Sequence, residues 1–169
     1  IKTCKRQFKP QTDYSYSCLN FITLQNIIEK VSGQSLREFA RENLFDVLGM
    51  DHTDYLPTVR DKKGNWINTS DAHWASMTEG DWHKLIAPTE KQANDQVLLG
   101  QVHDPLARIM NGGISGNAGV FSCAEDIAVL CAALQNGGEW NGRRILSPQT
   151  VKAMRTVPRG DVAQFGRTL

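Results

Sequence analysis

Gly33 stands between two helix signals, and no other local pattern in the chain is as restrictive. Upstream of it, Phe21, Leu24, Ile28 and Val31 recur at three- and four-residue steps, which predicts a helix carrying them on one buried stripe. Gly33 supplies the left-handed residue that ends such a helix. "SLRE" follows at once and reads as a capping box, in which Ser35 accepts from the Glu38 amide while Glu38 reaches back. A second helix is predicted from about Leu36 to Phe45, with Leu36, Phe39, Ala40 and Leu44 inward.

Regular structure returns late in the chain. In "SCAEDIAVLCAALQNGG", Ser122 and Glu125 read as another capping box, with Ile127, Leu130, Cys131 and Leu134 facing one way and Gly137 as the stop. Asn141-Gly142 in "EWNGRRIL" predicts a tight hairpin. In "SPQTVKAM", Ser147 is the expected N-cap and Pro148 the first helical residue. Between Leu48 and Gly113 the pattern fades into a turn and short extended pieces around "KKGN". "DAHWASMTEGDWHKLIAPTEKQANDQ" has no sustained period, and a stretch of that length suggests a functional loop system or a layer leaning on another part of the protein. The expectation is a single, mainly α domain over residues 1–169, with four helices and small β-hairpins.

Bulk properties exclude several functions. At 169 residues, 40% apolar and 22% charged, the composition is that of an ordinary globular domain. A formal net charge of +1 offers no basic field for nucleic acid. The longest apolar runs fall far short of a membrane span. The chain begins at Ile1 and stops at Leu169 without a change of composition, which reads as a piece of something longer.

Cys4, Cys18, Cys123 and Cys131 have no Cys-x-x-Cys spacing, so neither a metal knuckle nor a disulfide pairing follows from them. His52, His73, His83 and His103 could join Asp71, Asp104 or a cysteine around zinc, but none shows paired ligand spacing. No metal and no cofactor is therefore expected. Asp104-Pro105 reads as turn chemistry with His103 as a hydrogen-bonding partner. Trp66, Trp74, Trp82 and Trp140 read mostly as anchors for irregular segments. His-Glu-x-x-His, Walker and dinucleotide-binding motifs are missing. "GGISGNAG" comes near a nucleophile elbow around Ser115, but Asn117 stands where the last glycine belongs and no apolar strand precedes it. Its glycines are better explained by positive φ or by close approach to a ligand.

"DYSYSCLN" places Tyr14, Ser15, Tyr16, Ser17 and Cys18 at the mouth of the first helix. As plain structure, Ser15 or Ser17 caps the helix and Tyr16 packs beside it. As chemistry, a phenol at a helix N-terminus sits where the dipole favours anions, and a neighbouring lysine would favour its ionised form further. Such a phenolate can take a proton from a serine hydroxyl and return it to a leaving group. Spacing leaves both readings open.

Three segments, in order and covering nearly the whole chain, resemble the serine β-lactamase-related family. That group includes class C β-lactamases, D-alanyl-D-alanine carboxypeptidases and related esterases. In "KPQTDYSYSCLNFITLQNIIEKVSGQSLREFARENLFDVLGMDHTDY", Pro10, Thr12, Tyr14, Tyr16, Ser17, Val31, Ser32, Gly33 and Leu48-Gly49-Met50 fall on the pattern around the family's Tyr-x-Asn motif. "GQVHDPLARIMNGGISGNAGVFSCAEDIAVLCAALQNGG" resembles a second family segment, and "GGEWNGRRILSPQTVKAM" its continuation.

The resemblance implies that Tyr16 assists a nucleophilic serine and that Asn117, Gly119 and Phe121 border the acyl side-chain pocket. Cys18 occupies the position of the motif's Asn, and a thiol cannot present an amide's two-sided hydrogen bonding; Asn20 is the alternative substrate-binding residue. No serine in the chain has lysine three residues later, and the family's (Lys/His)-Thr-Gly motif is missing as well. The resemblance thus implies the helical region of an α/β enzyme whose sheet domain, nucleophile and third motif lie outside these residues. It further implies an acyl substrate (D-alanyl peptide, β-lactam or ester) and a Ser/Lys/Tyr acyl-enzyme mechanism, without activity in the isolated chain. The location it implies is periplasmic or extracellular, with any membrane anchor upstream. An apolar face left for the sheet domain could support dimerisation. The alternative reading, to which Cys18 gives weight, is a non-catalytic module that binds peptidoglycan or a protein.

Overall fold

The computed structural model describes residues 5, 8–9, 12–13, 15–64, 66–68 (backbone only) and 86–156. Pro10, Tyr14, Asp71, His73, Trp74, Trp82, His83, Cys4 and the side chain of Trp66 lie outside the described residues. Helix α1 spans Cys18–Ser32 and ends at Gly33, which adopts φ 76° and donates to the Glu29 carbonyl. The capping box forms as predicted, with Ser35 accepting from the Glu38 amide and Glu38 Oε2 accepting from the Ser35 amide at 2.9 Å. These bonds, the Ser35 hydroxyl first and its amide second, hold the Glu38 carboxyl below its ordinary pKa.

The predicted second helix is three joined pieces: α2 (Leu36–Ala40), a π-helical segment (Arg41–Phe45) and α3 (Asp46–Leu48). The extra residue per turn in the π segment shifts the buried face (π segments are rare and often mark functional or strained places). Phe45 and Leu48 are therefore buried along with Leu36, while Phe39, Ala40 and Leu44 are half-buried. Helix α5 (Ala124–Gln135) lies against this rod, and α6 (Pro148–Met154) begins where predicted, with Ser147 accepting from the Thr150 amide. Phe45, Leu48, Met50 and Ala133 form the core cluster, packed by Leu44, Val129, Leu130, Trp140 and Ile145. Trp140 thus fills the anchoring role expected of it.

The described residues include four two-stranded antiparallel sheets. β1 (Asp54–Tyr55) pairs with β6 (Val120–Phe121), and β2 (Thr58–Arg60) with β3 (Trp66–Asn68) across the "KKGN" reversal. β4 (Pro88–Lys91) pairs with β5 (Val97–Leu99), and β7 (Glu139–Trp140) with β8 (Arg143–Arg144). The β7–β8 turn has φ 47° at Asn141 and 74° at Gly142, the paired positive values an Asn-Gly hairpin demands.

Four expectations need correction. The α1 stripe is not buried: Phe21 is 50% exposed, Leu24 52% and Val31 83%, because no described element covers that face. Helix α5 has Cys123 as its N-cap, since the Ser122 hydroxyl instead meets Thr53 Oγ1 at 2.7 Å. Its fully buried residues are Asp126 and Ala133; of the predicted inward set Leu130 packs on the core and Leu134 is half-buried, while Ile127 and Cys131 are exposed. The long middle stretch holds a hairpin, β4–β5, and a fifth helical rod, α4 (Pro105–Met110), for which Asp104 is the N-cap.

Candidate active site

The mouth of α1 is built by its cap. Ser17 is extended (φ −151°, ψ 125°), and its hydroxyl accepts from the Leu19 amide at 3.3 Å, which satisfies an end-of-helix donor. Because Ser17 performs the capping, Tyr16 lies just outside the helix and is 64% exposed. The bland reading of the serine and the chemical reading of the tyrosine are compatible. Half-buried Cys18 donates from Sγ to the Tyr16 hydroxyl oxygen at 3.8 Å. Asn20 is exposed on the first turn, and its backbone amide donates to the Ser17 carbonyl at 3.2 Å. Tyr55, by contrast, is buried beside the glycine loop, and burial pushes its phenol up to about 12. Of the two tyrosines described, only Tyr16 presents a phenol to solvent.

The glycine-rich loop is shaped by close backbone approaches. A Cβ on Gly113 would stand 2.7 Å from the Leu56 carbonyl oxygen, and one on Gly119 only 2.3 Å from the Gly113 oxygen. Both glycines also have positive φ, 85° and 125°. Their role is therefore structural closure of the loop. Ser115 is 1% exposed, accepts from Asn111 Nδ2 at 2.7 Å and donates to Asn117 Oδ1 at 2.6 Å. That sequestration disposes of a nucleophile elbow at Ser115. Asn117 donates in turn to Asp104 Oδ1 at 3.3 Å. Both ends of the Asn117 amide are thus engaged, one within the loop and one at the N-cap of the Pro105–Met110 helix, so it acts as a brace between them. Phe121 is half-buried in β6, opposite Asp54.

Helix α1 joins these parts. Gln25 accepts from the Gly116 amide at 2.9 Å through Oε1 and donates to the Ile114 carbonyl at 3.4 Å through Nε2. Gly116 approaches so closely that a Cβ would meet the Phe21 carbonyl oxygen at 2.2 Å. Phe21 lies five residues beyond Tyr16, about 7–8 Å along a helix axis. One helix therefore presents Tyr16, Cys18 and Asn20 at its mouth and holds the glycine loop one turn further on. A 710 Å³ apolar groove, lined by Ile28, Leu36, Leu44, Leu130, Ile145 and Met154 among others, includes none of these residues.

Beneath the loop, Arg37 makes a bidentate pair with fully buried Asp54, at 3.1 Å from Nε and 2.9 Å from Nη2. Asp54 also accepts from the Tyr55 amide at 2.8 Å, which fixes β1 and hence its partner strand β6. Sequence reasoning missed this pair, because 17 residues separate its members and nothing local links them. It also missed the convergence of His52, Cys123 and Asp126, whose ligand atoms lie within 4.8 Å of one another. His103 does meet a carboxylate, Glu90, at 3.4 Å.

Comparison with known proteins bears on the whole arrangement. The profile of the beta-lactamase family matches residues 1–167. A protein of Escherichia coli (strain K12) named "Putative D-alanyl-D-alanine carboxypeptidase" is 32% identical over 166 residues, which is 98% of this chain and 36% of that protein. A Salmonella gallinarum protein of the same name is 29% identical over 151 residues, covering 89% of the chain and 33% of the relative. The octameric penicillin-binding protein homologue from Pyrococcus abyssi superposes with a TM-score of 0.51 at 19% identity, over 90% of this chain and 28% of that one. The chain spans about a third of the length of these curated relatives. The fold agrees with part of a penicillin-binding-protein structure, and the chain belongs to the beta-lactamase family.

Proposed function

We propose that these residues are the helical part of a serine acyl hydrolase acting on D-alanyl peptides, with Tyr16 as its proton-transfer residue. One observation carries the reading: the solvent-facing Tyr16 phenol stands at the mouth of the helix that also holds the glycine loop. The names of the relatives favour a D-Ala-D-Ala carboxypeptidase over other acyl hydrolases. A serine from polypeptide outside these 169 residues attacks the peptide carbonyl, and an ester bond forms as the C–N bond breaks. Tyr16, with a lysine from the same outside segment, accepts the serine proton and returns it to the departing D-alanine amine. Water then hydrolyses the ester. The exposed Phe21, Leu24, Ile27 and Val31 of α1 support a face for the sheet domain that would bring the serine. A cell-wall peptide substrate favours a location outside the cytoplasmic membrane.

Cys18 favours a second reading, a non-catalytic binder, because its thiol replaces the amide expected to hold the substrate carbonyl. Mass spectrometry after incubation with penicillin separates the two. The full-length protein should gain one covalent penicilloyl adduct on a serine outside residues 1–169, and the 169-residue chain none. No adduct on the full-length protein, together with retained binding of peptidoglycan fragments, establishes the second reading.

A further inference from the structure

The geometry points to a binding site for a divalent cation of zinc's kind, held by His52, Cys123 and Asp126. The β1–β6 pair brings these groups together. Asp54 pairs with Phe121 in β1–β6, His52 ends the turn that leads into β1, closed by the Thr53 amide donating to the Met50 carbonyl at 3.1 Å, and Thr53 Oγ1 meets Ser122 at 2.7 Å, so the segments carrying His52 and Cys123 lie side by side. Asp126 comes three residues after Cys123, in the first turn of α5, where an i, i+3 spacing returns to the same side of a helix. One imidazole, one thiol and one carboxylate thus converge, each offering an atom within 4.8 Å of the other two. A tetrahedral zinc site, with bonds of roughly 2.0–2.3 Å, separates its ligand atoms by about 3.4–3.7 Å. Rotation of the exposed His52 ring and of the Cys123 side chain supplies the remaining approach.

A second observation is the state of the Asp126 carboxylate. Asp126 is only 6% exposed, yet its recorded donors are neutral: the His52 amide at 2.9 Å and the Thr53 hydroxyl at 2.7 Å, both to Oδ2. No Lys or Arg pairs with it among the described residues. A buried carboxylate is ordinarily balanced by a cation or a metal, and the α5 N-terminus offsets only part of its charge. The two donors also fix the carboxylate as an outer shell fixes a metal ligand, and Ser122 extends that shell by donating to Thr53. His52 makes no side-chain hydrogen bond among the described residues, so its ring nitrogens are available to a metal. The set of one soft and two borderline or hard donors suits zinc, cobalt or nickel better than calcium or magnesium.

Binding converts the thiol to a metal thiolate and sends one proton to solvent. Affinity therefore increases with pH. Three protein ligands leave a fourth position for water, and the metal would clip the start of β1 to the start of α5.

Cobalt(II) titration of the reduced full-length chain tests the site, because a tetrahedral cobalt thiolate gives both visible bands and an ultraviolet charge-transfer band. One equivalent should produce both bands, and zinc should bleach them. Cys123→Ser keeps an N-cap residue and so should fold, but it should lose the charge-transfer band. His52→Ala should weaken binding by more than about a hundredfold, since loss of an outer-shell partner alone costs roughly 10–100-fold. Cys131→Ser and Cys18→Ser should titrate like the parent chain. Absence of the charge-transfer band at stoichiometric cobalt, or its survival in a folded Cys123→Ser protein, overturns the assignment.

Discussion

Gly116→Ala tests whether the glycine loop is held against α1 by direct backbone contact. The added methyl carbon would lie 2.2 Å from the Phe21 carbonyl oxygen, 2.9 Å from its carbon and 3.1 Å from Gln25 Cβ. The first two are helix backbone atoms, which cannot swing aside as a side chain would. Gly116 does not have positive φ, so the substitution adds no intrinsic backbone strain, and the whole penalty is steric. Overpacking of this kind costs about 1–3 kcal/mol. If the loop retreats instead, the chain forfeits the Gly116–Gln25 and Ile114–Gln25 bonds, worth about 0.5–1.5 kcal/mol each. Either route comes to about 1–3 kcal/mol, against a total stability on the order of 5–15 kcal/mol. At roughly 2–4 °C per kcal/mol, the midpoint should fall by about 2–12 °C in a calorimetric scan. Gln25→Ala removes the same two bonds without the clash and should cost a similar amount, about 1–3 kcal/mol. A Gly116→Ala midpoint within about 1 °C of the parent would refute the contact.

Arg37→Met leaves the fully buried Asp54 carboxylate without its cation and should cost about 3–5 kcal/mol in urea unfolding, with much of the loss recovered by adding Asp54→Asn, which keeps an acceptor for the Tyr55 amide. Equal stability of the single and double variants would argue against that pair as the support of β1. Tyr55 has its folded pKa raised to about 12 from 10.0, so its burial stabilises fully below pH 10 and progressively less as pH rises toward 12, where about 2–3 kcal/mol is lost. Parallel urea titrations should therefore show the parent losing stability relative to Tyr55→Phe across that window, and no divergence would contradict the burial of the phenol. A fluorescent penicillin should leave the 169-residue chain unlabelled, and stoichiometric labelling of one of its serines would contradict an outside nucleophile.

Features stated by neighbouring residues were legible in the sequence. The Ser35–Glu38 box, the Gly33 stop, the Asn141-Gly142 turn and the Ser147-Pro148 start each depend on backbone needs met within a few residues. The glycine loop was legible to the same degree, since only glycine fits at 113 and 119. Sidedness was not legible. The Phe21–Val31 stripe has helical spacing whether or not anything covers it, and the π segment moved the buried face of the next rod. Ser122 fits a cap pattern as well as Cys123 does, and a partner 69 residues away in the chain, Thr53, decided between them. At the candidate site the sequence singled out Tyr16 and the loop, but the Gln25 clamp joining them spans 91 residues. Pairing over such separations leaves no local trace.

The account rests on Tyr16 as a proton-transfer group, and the rate of acyl-enzyme formation in full-length protein carrying Tyr16→Phe tests it most directly. Phenylalanine keeps the ring and removes only the hydroxyl, and at a side chain that is 64% exposed it should leave the fold and the unfolding midpoint unchanged. Loss of a positioned general acid–base group should slow acylation by about 10²–10⁴-fold. A folded Tyr16→Phe enzyme that acylates within about threefold of the parent would contradict the account.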